Sequence, residues 1–217
     1  MEKMKLNIQL FGTWGADAAF DKKLYGQVGY SNVTRNGNTI TVTWGSRVKS
    51  NYGTFGYGMG GCSYWKLGSS TGGNTTKYYG KGSSGSYTSG KWYYTNNGNT
   101  SKSASVTGER YDFTATTTVS SPAAGSITLE SWVWTYDKTD GYANNAYPTV
   151  SVSYPAAASV TVTFDADGGL GGPTSQTFYK GYSGTLTSDE PYKTGYTFAG
   201  WYTSPGKQGT KYNSGGV

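Results

Sequence analysis

The sequence predicts an all-β protein: an antiparallel sandwich followed by a second, smaller β module. Three observations carry this expectation. Glycine counts 34 and tyrosine 21 among 217 residues, and aromatics reach 16%. Gly, Ser, Thr, Asn and Tyr are poor helix formers, whereas Thr, Tyr, Val and Trp suit strands. Short runs alternating apolar and polar residues recur along the chain, separated by Gly- and Asn-rich turns. The character of the sequence then changes after Pro155-Ala156-Ala157-Ala158, which reads as a linker. The length allows one large domain or two small ones. A disordered chain is excluded, because such chains are rich in charge and poor in aromatics, and only 14% of these residues are charged.

The elements follow in chain order. In residues 1–12, Leu6, Ile8 and Leu10 alternate with Asn7 and Gln9, a short strand or an extended arm that ends at Phe11-Gly12. Asn7 and Gln9 break the apolar core that an export signal needs, so this segment is read as part of the mature protein. The arm region is taken as 1–25. Within it, residues 13–25 are the stretch with helix content, and Asp17 is a candidate cap.

A sandwich is expected over residues 26–155. Val28 and Tyr30 begin a strand, and Arg35-Asn36-Gly37-Asn38 carries an Asn-Gly hairpin signal. In Thr39–Trp44, Ile40, Val42 and Trp44 fall on one face, and Arg47-Val48-Lys49 prolongs the strand past a bulge at Gly45. Further strands are expected at 63–67, 77–79, 91–94, 111–119, 126–134 and 149–154, with Ile127, Leu129, Ser131 and Val133 sharing a face. Seven or eight strands without helical crossovers suggest an immunoglobulin-like topology, with a jelly roll as the alternative.

Composition also excludes chemistries. The chain has no histidine, which removes Ser-His-Asp and Cys-His catalysis and any histidine pH switch. Cys62 is the only cysteine, so no disulfide forms within one chain, and it is read as a small buried side chain. No run of residues approaches the roughly 20 apolar positions of a membrane span. Residues 1–157 hold 14 Lys/Arg against 8 Asp/Glu, whereas 158–217 hold four of each. The basic residues are spread mostly singly and form no run, so nucleic acid is not expected as a partner.

The module at 159–217 runs Val160-Thr161-Val162-Thr163-Phe164-Asp165-Ala166-Asp167-Gly168-Gly169, then Lys180-Gly181, then Thr194-Gly195-Tyr196-Thr197-Phe198-Ala199-Gly200-Trp201-Tyr202. This resembles the internalin-type B-repeat, the Listeria–Bacteroides repeat. The resemblance implies a small β-grasp-like fold and a non-enzymatic role in surface and adhesion proteins. Phe164, Tyr196, Phe198 and Trp201 are expected to form its core. Such repeats continue into a further strand, so the natural chain is expected to extend beyond Val217. The opening Met4-Lys5-Leu6-Asn7-Ile8-Gln9-Leu10-Phe11-Gly12 resembles the N-termini of tailed-bacteriophage virion proteins. That likeness implies assembly in the bacterial cytoplasm, a location in the virion, and capsid or tail subunits as partners. Leu6, Ile8, Leu10 and Phe11 would be the assembly arm of a homo-oligomer.

Candidate chemistry is sparse. Asp165 and Asp167 precede Gly168-Gly169 but lack the further oxygen ligands of a calcium loop, so no metal is expected. Asp137, Asp140, Glu109 and Asp112 are read as solvated turn residues rather than a glycosidase pair. No phosphate-binding loop, dinucleotide fingerprint or nucleophile elbow is present, and no cofactor or catalytic residue is expected. Tyr64, Trp65, Trp92 and Tyr94 form a possible platform for a host surface glycan. The sequence thus points to a virion structural protein, a capsid decoration or head fibre, with a tail component, or a bacterial surface adhesin binding carbohydrate, as the alternatives.

Overall fold

A computed structural model describes residues 12–21, 24–50, 55–59, 64–73, 85–87, 92–94, 111, 113–136 and 143–216. It is all-β, and no helix occurs among the described residues. The strands are β1 (Thr13–Trp14), β2 (Ala18–Asp21), β3 (Leu24–Asn36), β4 (Thr39–Ser50), β5 (Phe55–Met59), β6 (Trp65–Leu67), β7 (Ser70–Gly72), β8 (Gly85–Tyr87) and β9 (Trp92–Tyr94). They continue as β10 (Phe113–Thr118), β11 (Gly125–Ser131), β12 (Val133–Tyr136), β13 (Ala143–Ala146), β14 (Thr149–Tyr154), β15 (Ser159–Thr163), β16 (Ser175–Tyr179), β17 (Trp201–Ser204) and β18 (Gln208–Tyr212). The chain forms two compact units. One is built from most of the chain up to Pro155, the other from Ala156–Val217 with two short turns.

The first unit is an antiparallel β-sandwich. One sheet has the order β1-β3-β4-β10, with β2 also on β3 and β9 also on β4. A second has the order β14-β11-β6-β7, and a third β13-β12-β5-β8. The core lies mainly between the first two sheets, with Trp132 and Val133 of the third sheet's entry joining it. Val28, Ile40, Val42, Trp44, Val48, Phe113 and Ala115 come from the first, and Leu67, Leu129, Val150 and Val152 from the second. Strict period-two alternation sends these side chains inward. Trp44 and Phe113 are cross-strand partners whose rings stack at 4.5 Å. Ser70 Oγ and Thr117 Oγ1, 2.8 Å apart, share a hydrogen bond between β7 and β10.

Four local expectations change. Residues 13–25, read as helix-prone, instead supply β1, β2 and the start of β3, because pairing with β3 outweighs the weak helix preference of Asp17-Ala18-Ala19. The β3–β4 turn is Gly37-Asn38 rather than Asn36-Gly37. Gly37 takes φ +62° at the first turn position, where a type II′ hairpin turn needs glycine. No bulge interrupts β4 at Gly45: Ile40, Val42, Trp44, Ser46 and Val48 are all buried in one unbroken phase. Residues 126–134 are not one strand. The chain leaves the second sheet at Ser131 and enters the third at Val133, with Trp132 between. The Trp132 amide donates to the Tyr64 carbonyl and the Ser131 amide to that of Pro148, which fixes the corner.

The second unit contains two hairpins, β15–β16 and β17–β18. Gln176 braces it: its Nε2 donates to the Thr185 carbonyl and its Oε1 accepts from the Thr187 amide. Leu170 and Tyr192 form an isolated antiparallel bridge. Among the described residues, Ala157 and Trp201 are the buried apolar side chains of residues 156–216.

Candidate functional site

Two places concentrate aromatic side chains, one in each unit. In the sandwich, the even positions of β4 fill the core, so the odd ones face away from it. Arg47 and Lys49 therefore stand on the outer face of the first sheet. The Arg47 guanidinium carbon lies 3.8 Å from the Trp14 ring centroid and 4.5 Å from that of Trp92. Lys49 Nζ lies 4.4 Å from the Trp92 centroid and 5.4 Å from that of Tyr25. Tyr111 extends the row, its ring 5.3 Å from Trp14. Cations over aromatic faces attract the ring quadrupole, more strongly when water is partly excluded.

Hydrogen bonds hold the cations in place. Arg47 Nε donates to Gln27 Oε1 at 2.8 Å, and Gln27 Nε2 donates to Asp17 Oδ1 at 2.5 Å. The other Asp17 oxygen pairs with Lys49 at 3.1 Å. Trp14 lies flat on its cross-strand partner Gly29, where an added Cβ would come within 2.7 Å of the indole. The row thus joins β1, β3, β4 and β9 through side chains on the outer face. Its rings are largely occupied by cations and by each other.

The expected platform residues do not form one surface. Trp92 belongs to this row. Tyr64 and Trp65 belong to the other side of the sandwich, where both pack against the core. Trp65 covers its partner Gly72, with no room for a Cβ beneath the ring. The Tyr94 backbone lies in β9, and its side chain falls outside the described residues. Trp14 and Arg47, which the sequence reading did not select, are the centre of the row. The signal for Arg47 was its odd phase on β4, opposite to the buried Trp44 and Val48.

In the second unit, Phe164 and Phe198 pack on Trp201 at 4.6 and 5.1 Å between centroids. Tyr196 stands apart from that cluster: it is 73% exposed, with Lys193 Nζ 5.1 Å from its ring centroid. Trp201 is 9% exposed, and its Nε1 has no hydrogen-bond partner among the described residues. Asp165 Oδ1 accepts from the Asp167 amide at 2.9 Å, closing a turn in which Asp167 takes φ +50°. Among the described residues no group of three or more His, Cys, Asp or Glu side chains is placed to hold a metal. The arm residues Leu6, Ile8, Leu10 and Phe11 lie outside the described residues, as do Cys62, Glu109, Asp112, Asp137 and Asp140. No helix among the described residues is long and apolar enough to cross a membrane.

Residues 161–216 match the family model of the Listeria-Bacteroides repeat domain. No curated protein matches the chain, and no solved structure does.

Proposed function

We propose that this chain is a non-enzymatic structural protein of adhesion type, built into a tailed-phage virion as a capsid decoration or head fibre. The sandwich is the base and the repeat is the displayed module. The observation that carries the adhesion part is the repeat match over residues 161–216. The virion part rests on the opening Met4–Gly12, whose alternating Leu6, Ile8 and Leu10 suit strand addition to a neighbouring subunit. A tail or receptor-binding position, with a host surface glycan as ligand, uses the same two features. The cation–aromatic row braces the sandwich in this reading, since its ring faces are already engaged.

The test is incorporation. Full-length protein and a variant lacking residues 1–12 are expressed during infection, and purified particles are imaged and probed for the chain. Full-length protein is expected on the particle, and the truncated form is expected to be lost from it. Equal incorporation of both overturns the role of the arm. A chain found on the cell envelope and absent from particles replaces the virion reading with that of a bacterial surface adhesin.

A further inference from the structure

The hairpin β15–β16 exposes two valines on its β15 strand and has an open edge. Val160 and Val162 lie on one face of β15, opposite Phe178 and Gln176. They are 63% and 39% exposed, and the whole strand is exposed. Among the described residues β15 pairs with β16 alone. The register shows which backbone groups are left over. The Lys180 amide donates to the Ala158 carbonyl and the Phe164 amide to that of Thr174. In an antiparallel ladder this alternation directs the amides and carbonyls of Val160 and Val162 at β16. Those of Ser159, Thr161 and Thr163 point away from it, along the open edge. An apolar stripe beside a row of unpaired backbone groups is a template for one more strand.

We infer that this edge receives the segment Leu6–Leu10 of a neighbouring copy of the chain. The segment has the matching pattern: three apolar residues, Leu6, Ile8 and Leu10, alternate with Asn7 and Gln9. Placed beside β15, the apolar three extend the Val160–Val162 face, and the polar two join Ser159, Thr161 and Thr163. Both stretches are five residues long, so the ladder closes without overhang. Phe164, which directly follows β15, packs on Trp201, so the added strand would border the aromatic cluster of the unit. This inference rests on the assembly role of the arm and names its acceptor.

Three proteins separate the two ideas: the full chain, the chain lacking residues 1–12, and full-length Thr161→Pro. Proline at 161 removes an edge amide and leaves the β16 bonds intact, because an extended edge position tolerates it. Light scattering across a concentration series should show association of the full chain and its loss in both variants. Association that survives Thr161→Pro but not the deletion overturns β15 as acceptor and leaves the arm role standing. Association that survives the deletion overturns both.

Amide hydrogen exchange guards against a misfolded proline variant. In the arm-deleted protein the Thr161 and Thr163 amides should exchange freely. A synthetic peptide of residues 3–12 should slow them by about tenfold or more, with Val160 and Val162 little changed. Protection already present without the arm, or absent after peptide addition, overturns the inference. Protection in the full chain that is independent of concentration places the arm on its own β15 and overturns the exchange between copies.

Discussion

Ser131 places a hydroxyl in the sandwich core, fully buried, with no hydrogen-bond partner among the described residues. Its alternation with Ile127 and Leu129 marks it as inward-facing from sequence alone. The absence of a partner is not legible there, because it depends on what β6 and β14 bring alongside. Burying an unsatisfied hydroxyl costs about 1–3 kcal/mol, and removing it recovers part of that at almost no change in volume. Ser131→Ala should therefore leave stability unchanged or raise it by about 1 kcal/mol. Urea unfolding at constant m-value measures this, and a loss of about 1 kcal/mol or more would mean that the hydroxyl has a partner in solution. Trp44 Nε1 is in the same position, but its ring fills the core against Phe113, so no comparable substitution isolates the donor.

Arg47 acts between elements rather than within one. Its guanidinium links β4 to β1 through Trp14, to β9 through Trp92 and to β3 through Gln27. Arg47→Ala should destabilise the sandwich by about 3 kcal/mol, the sum of two partly desolvated cation–π contacts and one charged hydrogen bond. Arg47→Lys should recover less than half, since an ammonium lacks the planar fork that stacks and donates at once. Chemical denaturation of the two variants checks this, and a fully stable Lys variant would reduce the row to simple charge. The elements themselves divide by how local their cause is. The strand β4 is legible because Ile40, Val42 and Trp44 alternate without interruption. The corner at Trp132 is not, since Leu129, Ser131 and Val133 keep their alternation across it. What breaks the strand is the pairing of Ser131 with Pro148 and of Trp132 with Tyr64, both distant in sequence. The row was illegible for the same reason: positions 14, 47 and 92 meet only once β1 and β9 join the sheet.

The molecule distributes its core unequally. The sandwich buries a continuous cluster drawn from all three of its sheets, whereas Ala157 and Trp201 are the buried apolar side chains of residues 156–216. A unit of about 60 residues with so thin a core has only a few kcal/mol to lose. Removing a buried Trp side chain costs about 3–5 kcal/mol. Trp201→Ala is therefore expected to unfold the second unit while leaving the first intact. Calorimetry of the full chain should show the lower-temperature transition vanish and the upper one stay within about 2 °C. A shift of both transitions would show that the two units unfold together. The repeat motif itself was legible, because its Gly-Trp and Phe-Asp positions are local in sequence. The exposure of Tyr196 was not, since its place depends on how the loop after Lys193 returns to β17.

The register of the last hairpin also decides how the second unit answers to force. Trp201 and Tyr212 are paired at its open end, and from Tyr212 the chain runs on through Gly215 and Gly216. Tension applied at the C-terminal end first parts the contacts of Gly215 and Gly216 with Thr187 and Leu186. It then opens β18 from β17 one rung at a time, since each bond takes the whole load in turn. The β15–β16 hairpin presents the same geometry, with Ser159 opposite Tyr179. Fully straightened, the roughly 60 residues of the second unit would span about 200 Å, at about 3.4 Å each. Both hairpins of the second unit thus present their free ends to a pulling chain, so they would open rung by rung rather than shear along their length.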